Sequence, residues 1–496
     1  MLAAHLTVVL GLTLCTCPDH AVGACNEGQS CTTADGNIGK CLSGRCLSIL
    51  PIDIRENLTF VITVKYPDKM LQKHGGSSLF VRGNGLGLEW IKGNQLQKTS
   101  SDTWQINIHY QSSLDGFQCQ SCQDKSFLEH DQFQYRILLD DNQDMLGANF
   151  AVNLPLAKSS SYFNLKPEIT VFPWFYSKSG TYENITLESP QIGGNRTISI
   201  YFPPSFHENT YKIYPVLIVT DLKAGYAQIK PYVFEELMYP HGATVEFVVI
   251  GFEDYKNCRT TLLTTPVGSE MYCKEGTYSN RCNNCYSSTT VDYTPAWFQV
   301  LKDKCGYRYF TGGKAEDTIN FLLDTVYPRV QTISSNRLST KRDDIGFMGY
   351  SNGGLTACHA AWTLPERVGF AACLSSSFWW PFNNVTWTTC DFNFINKTLK
   401  DPNYLKSRPP QKIYIDAGGA EANEPYMTKQ VAIETAEYLD SMDYFTMNKN
   451  LWVHIFPGEH HSYYSWMKRA WRAMSVLLPA PGSPAMPQVS SLPIVG

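Results

Sequence analysis

Residues 344–363 read DIGFMGYSNGGLTACHAAWT, with Gly349-Tyr350-Ser351-Asn352-Gly353-Gly354 at the centre. An apolar segment, IGFM, precedes this hexapeptide, and a helix-like one, LTACHAAWTL, follows it. A Ser on a tight strand-to-helix turn exposes its hydroxyl. Gly at minus two and plus two leaves room where the strand and helix backbones crowd. The helix N-terminus then faces any negative charge that develops beside the Ser. The motif is weak as a bare pattern, and the flanking strand and helix give it weight.

The surroundings supply that context. TISIYF (197–202), YPVLIVTDL (214–222), TVEFVVIGF (244–252), DIGFMGYS (344–351), VGFAACLSSS (368–377), KIYIDAG (412–418) and LWVHIFPG (451–458) are short apolar runs. Helix-like stretches lie between them, at 314–331, 353–362 and 428–442. The alternation predicts a doubly wound α/β domain with a mostly parallel sheet and helices on both faces.

Upstream the pattern differs. TFVITVKY (59–66), SLFVRG (78–83), TWQINIHY (103–110) and QFQYRILLDD (132–141) are separated by Gly, Asn, Asp and Ser clusters. They predict a small antiparallel β-sandwich over 51–156, with the α/β domain over 157–478. Trp90 and Trp104 are candidate stacking platforms for sugar rings, against the commoner core role. Residues 25–50 carry four Cys and few apolar side chains, so disulfides must hold this segment. Residues 479–496 are rich in Pro, Ser and Ala and read as a disordered tail.

Length and composition limit the function classes. The chain has 496 residues, 43% hydrophobic and 17% charged, which excludes a disordered or collagen-like chain. A net charge of -4 gives no basic field for nucleic acid. The apolar run LTVVLGLTL (6–14) is too short to span a bilayer, and small residues near Ala24 suit a signal peptidase. A signal peptide over 1–24 is therefore expected. Of 16 Cys, Cys15 and Cys17 lie inside it, which leaves an even number. Sequons at Asn57, Asn184, Asn195, Asn384 and Asn396 point the same way, to a secreted, disulfide-bonded glycoprotein. The C-x-x-C pairs Cys119/Cys122 and Cys282/Cys285 are far apart, so disulfides are expected and a metal site is not. Cys358, Cys373 and Cys390 flank the Ser351 region, where disulfides would brace it.

A Ser hydroxyl needs a base to take its proton, and on α/β sheets the chain order is Ser, acid, His. His454 lies inside a strand. His460 and His461 follow it, in a loop able to reach the Ser. Asp416 ends the preceding strand, and Glu421 and Glu424 lie in the loop AGGAEANEP (417–425).

These residues carry a resemblance. SPQIGGNRTISIYFPPSF (189–206), YPVLIVTDL, GGKAEDTINFLLDTVYPRV (312–330), GYSNGGLTACHAAWTLPERVGFAACLSSSFWW (349–380) and PGEHHSYYSW (457–466) occur in order. Together they resemble the putative-esterase branch of the α/β-hydrolases. That branch includes esterase D, enterochelin esterases, feruloyl esterases and mycolyltransferases. The resemblance spans roughly 180 to 475, about 60% of the chain. It implies Ser351 as nucleophile. Three residues after the Gly of D-x-G is Glu421; an "N-E" pattern selects Glu424. Five residues before Trp466 is His461; two after Gly458 is His460. The oxyanion hole would use the backbone N–H groups of Leu222 and Asn352. No cofactor is implied. The segment VRGNGLGLEW (81–90) with the strands after it loosely resembles a starch-binding or immunoglobulin-like module. The longer Cys-rich stretch 254–307 is expected as a cap.

The implied activity is a serine esterase acting on a small-molecule, carbohydrate or aryl ester. Acyl transfer on the same three residues and a non-catalytic binding protein are the alternatives. Oligomeric state is left open.

Overall fold

In the computed structural model, the described residues are 58–84, 87–110, 132–153, 168–192, 194–220, 235, 239–252, 315–380, 382–383, 388–389, 395–404, 408–423 and 428–481. Strand backbone is also described at 15–16, 30–32, 38–42 and 45–48. The expected cap, both C-x-x-C pairs, Leu222, Glu424, Asn57 and Asn384 lie outside the described residues, as does the tail beyond 481. The chain divides into two compact units, Met1–Met145 with Asn149–Val171, and Leu146–Ala148 with Phe172–Gly496.

In the first unit Cys15–Thr16, Ser30–Thr32, Ile38–Leu42 and Arg45–Ser48 form a four-stranded sheet. Two further sheets follow. One is built on Leu79–Gly83 and Gln132–Leu139, the other on Leu58–Lys65 and Thr103–Tyr110. On the strand Leu79–Gly83 alternate residues, Leu79, Val81 and Gly83, are buried, the period-two pattern of a half-covered strand. On Leu58–Lys65 the neighbours Ile62, Thr63 and Val64 are all buried. The boundary expected at 156 falls instead after Val171. Glu168–Val171 pairs in parallel with residues 61–64, and Thr63 Oγ1 donates to Glu168 Oε1 at 2.9 Å. The strand is four residues long between Pro167 and Pro173, and nothing local names its partner. Trp104 is 2% exposed and belongs to the core, with Lys98 Nζ 5.3 Å from its ring centre. It has no free face for a sugar, whereas Trp90 is 37% exposed.

The second unit holds an eight-stranded sheet: β1 (Thr181–Glu188), β2 (Asn195–Phe202), β3 (Val216–Thr220), β4 (Val248–Phe252), β5 (Ile345–Tyr350), β6 (Phe370–Leu374), β7 (Lys412–Gly418) and β8 (Leu451–Phe456). Its order is β1-β2-β4-β3-β5-β6-β7-β8. β1 with β2 and β2 with β4 are antiparallel, and every later pairing is parallel. The described helices are α1 (Ala315–Asn320), which runs on through a π-turn into α2 (Tyr327–Ile333), then α3 (Asn352–Thr363), α4 (Thr428–Asp440) and α5 (Tyr463–Leu477).

Alternate strand residues feed two cores, one on each face. Ile218, Ile250, Phe347, Ala371, Cys373, Ile413 and Ile415 pack with α1, α3 and α4. Leu217, Val219, Val249, Met348, Ala372, Leu374 and Tyr414 pack with Ala470, Ala473, Met474 and Leu477 of α5. Burial on both faces explains why β3, β4, β5 and β6 read as unbroken apolar runs. The expected doubly wound α/β sheet is the observed one. The Cys358–Cys373 disulfide ties α3 to β6. Asn184 and Asn195 are exposed on the β1–β2 hairpin at the sheet edge, while Asn396 is described only as backbone of the Ile395–Leu399 turn. Among the described residues, no helix is long and apolar enough to cross a membrane.

Candidate active site

Ser351 sits between β5 and α3 with φ 55° and ψ -118°. A non-glycine residue there is strained by about 1–3 kcal/mol, and only rigid surroundings maintain it. Gly349 supplies part of that rigidity. A Cβ on it would lie 2.3 Å from the carbonyl carbon and oxygen of Gly353 and 2.4 Å from Thr220 Oγ1. Gly354, outside the G-x-S-x-G pattern, is crowded mainly by a side chain: its Cβ would meet Ser376 Oγ at 2.3 Å, with the Gly349 and Leu374 carbonyl oxygens at 3.1 Å. Asn352 is the first residue of α3, and its N–H belongs to the turn that has no intrahelical acceptors.

The His and acid come from two loops past the C-terminal ends of β7 and β8. His461 Nε2 lies 3.0 Å from Ser351 Oγ, and its Nδ1 lies 3.2 Å from Glu421 Oε2. Trp466 fixes the ring: the imidazole meets the indole edge-on at 4.9 Å, and the indole stacks on Tyr350 at 5.3 Å. The five-residue spacing from His461 to Trp466 is thus one turn at the start of α5, capped where Ser462 Oγ accepts from the Ser465 N–H. His460 faces solvent; its N–H bonds to Ser465 Oγ. His454 lies beside Tyr414, away from Ser351, and burial with the Arg472 charge pushes its pKa down to about 4.

Glu421 has no exposed surface. Its Oε1 accepts from Ser375 Oγ at 2.6 Å, from the Gly418 N–H at 2.9 Å and from Arg469 Nη2 at 3.3 Å. Burial alone would raise its pKa. The hydrogen bonds from His461 and Ser375, the His461 charge and the Gly418 N–H outweigh that, so the carboxyl is held below its ordinary value. Ser377 Oγ stands 3.1 Å from Ser351 Oγ.

Asp416 is not beside His461. It faces Arg469 Nε at 3.2 Å and accepts from the Ser375 N–H at 3.1 Å. Burial pushes it up to about 7 against the pull of Arg469. A carboxyl with a raised pKa favours the fold when protonated. Its contribution is therefore fullest below the unfolded value of 3.8 and is lost as pH rises through about 7. Between those values the melting temperature of the wild type is expected to fall relative to Asp416→Asn. Parallel Tm–pH curves for the two proteins would contradict this.

Reading the residues in order missed Ser375, Ser377 and Arg469. Arg469 carried a signal, because it stands in the apolar stripe of α5 with Ala470, Ala473, Met474 and Leu477. A buried Arg there requires buried carboxylates.

The family described as Putative esterase matches residues 297–476, which contain Ser351, Glu421 and His461. No curated protein matches the chain. Among solved structures, the enterobactin esterase FES from Shigella flexneri is 12% identical, with 86% of this chain and 94% of that one covered and a TM-score of 0.37. The siderophore hydrolase EstB from Aspergillus nidulans is 16% identical over 60% of this chain and 97% of its own, with a TM-score of 0.42. A ferulic acid esterase is 12% identical over 60% and 98%, with a TM-score of 0.38. With the matched segment seated on this eight-stranded sheet, the second unit is an α/β-hydrolase of the esterase branch, a carboxylic ester hydrolase.

Proposed function

We propose that the protein is a secreted serine esterase working through Ser351, His461 and Glu421. The observation that carries the reading is the continuous hydrogen-bonded relay from Ser351 Oγ through both imidazole nitrogens to Glu421 Oε2. Neutral His461, with its proton on Nδ1 facing Glu421, accepts the Ser351 proton at Nε2 as Oγ attacks the ester carbonyl. The imidazolium then bonds to a buried anion. Negative charge on the carbonyl oxygen faces the Asn352 N–H at the start of α3, and Leu222 N–H is the expected second donor. His461 returns its proton to the leaving alcohol, and water releases the acyl group by the same route. Ser377 Oγ is placed to hydrogen-bond the attacking oxygen.

The substrate is a small carboxylic ester, with carbohydrate and aryl esters the first to test. Secretion is supported by the leader-like start, the exposed Asn184 and Asn195 and the Cys358–Cys373 bond.

A fluorophosphonate probe tests the chemistry. The secreted wild type is expected to take one label, on the peptide containing Ser351, and to hydrolyse short-chain aryl esters; Ser351→Ala should do neither. A folded wild type that neither labels nor hydrolyses would put the binding-protein reading first. Preferential transfer to an alcohol over water would make the enzyme an acyltransferase.

A further inference from the structure

Beyond the three residues of the relay, the structure holds a polar cluster directly behind the acid. Arg469 is 2% exposed, and Asp416 and Glu421 have no exposed surface. Arg469 Nη2 donates to Ser375 Oγ and, at 3.3 Å, to Glu421 Oε1, and its Nε faces Asp416 on β7 at 3.2 Å. Ser375 Oγ passes the bond on by donating to Glu421 Oε1. Arg469 can only donate and the Glu421 carboxylate only accept, so Ser375 Oγ accepts from the one and donates to the other, and the chain Arg469, Ser375, Glu421 polarises in one direction. Ser375 adopts φ 41° at the end of β6, a left-handed backbone in a residue other than glycine. Ser351 does the same at the end of neighbouring β5. Two strained serines on adjacent strand ends thus serve one site.

We propose that Arg469 and Ser375 are a positioning pair for Glu421. The inference rests on the esterase reading above. A carboxylate bonded only to His461 could exchange its two oxygens. Here three donors occupy Oε1, which leaves Oε2 for His461. Asp416 anchors the other edge of the guanidinium. Stability alone does not account for the arrangement, because well-packed apolar residues commonly match or exceed a buried ion pair. The surroundings of Arg469 on α5, Ala470, Ala473 and Met474, are already apolar.

The test measures kcat and KM on a short-chain aryl ester, per active site titrated with fluorophosphonate, together with Tm. In Ser375→Gly the backbone strain goes together with the hydroxyl, and relief of the strain offsets the lost hydrogen bonds, so Tm should stay close to that of the wild type. Its kcat should fall about five- to tenfold, with KM within about twofold. Arg469→Met should lose about 100-fold in kcat, and Arg469→Lys, which keeps the charge without the planar fork, should recover about tenfold of it. If Arg469→Met does not fold, Ser375→Gly and Arg469→Lys decide. Wild-type kcat in those two variants, with any loss confined to Tm, overturns the proposal and leaves the cluster purely structural. An inert wild type overturns the esterase reading and this proposal with it.

Discussion

His461→Ala is expected to lose about 10⁴- to 10⁶-fold in ester hydrolysis while remaining folded. The imidazole is half-buried, and it meets Ser351, Glu421 and the ring of Trp466 beyond the ends of the strands. Removing it leaves Ser351 with no base at its proton. The hydroxyl then has the reactivity of an ordinary alcohol. Glu421 becomes an anion facing an empty space, which costs stability but spares the sheet. The loss should not add to that of Ser351→Ala, because the relay acts as a unit. The double variant is therefore expected to retain the same residual rate as either single one. Fluorophosphonate labelling should slow in parallel with hydrolysis. Initial rates, label kinetics and circular dichroism on the three variants check this. A His461→Ala enzyme within tenfold of the wild type would return His460 to consideration as the base.

The second large effect is on stability. Gly349→Ala adds one methyl group where Gly353 carbonyl atoms stand at 2.3 Å and Thr220 Oγ1 at 2.4 Å. Backbone atoms cannot rotate aside, so β5 and the start of α3 must separate. The cost is expected to reach about 3 kcal/mol or more, the upper range for overpacking. Activity should suffer beyond the loss of folded protein, because the same movement relaxes the φ 55° backbone of Ser351. Gly458→Ala is the comparison. Gly458 has φ +74° with nothing within 4 Å of its Cβ position, so only left-handed backbone strain applies, about 1–2 kcal/mol. Denaturant unfolding of both variants separates the steric from the conformational cost. Equal losses would show that the turn accommodates a methyl group.

Much of the second unit was legible because its central strands are buried on both faces. Such strands must be apolar throughout, so β3 to β7 stand out as runs between helix-like stretches. The edge strand β1, TYENITLE, is mostly exposed and carries no such run, so reading the sequence did not find it. Helix α5 was not foreseen as a helix. Its stripe of Ala470, Ala473, Met474 and Leu477 has helical spacing, and the reading of the sequence did not take it up. In the first unit, Glu168–Val171 pairs with a strand more than 100 residues earlier, which no local pattern encodes. Trp104 was ambiguous for the opposite reason: an aromatic residue in an alternating strand reads alike whether its face meets a core or a ligand.

The sequence by itself determined the sheet, the strand-to-helix turn at Ser351 and the short list from which the acid and the base had to come. Those are local matters of apolar period, glycine placement and chain order. The tertiary structure alone decided that Glu421 rather than Asp416 stands at the imidazole, and that His461 rather than His460 turns inward. It also brought Arg469 and Ser375 together behind the acid. Each depends on where two loops and one helix face converge at the strand ends. Of two residues side by side in the chain there, His460 is exposed to solvent while His461 Nε2 stands 3.0 Å from Ser351 Oγ, a difference that no local pattern encodes.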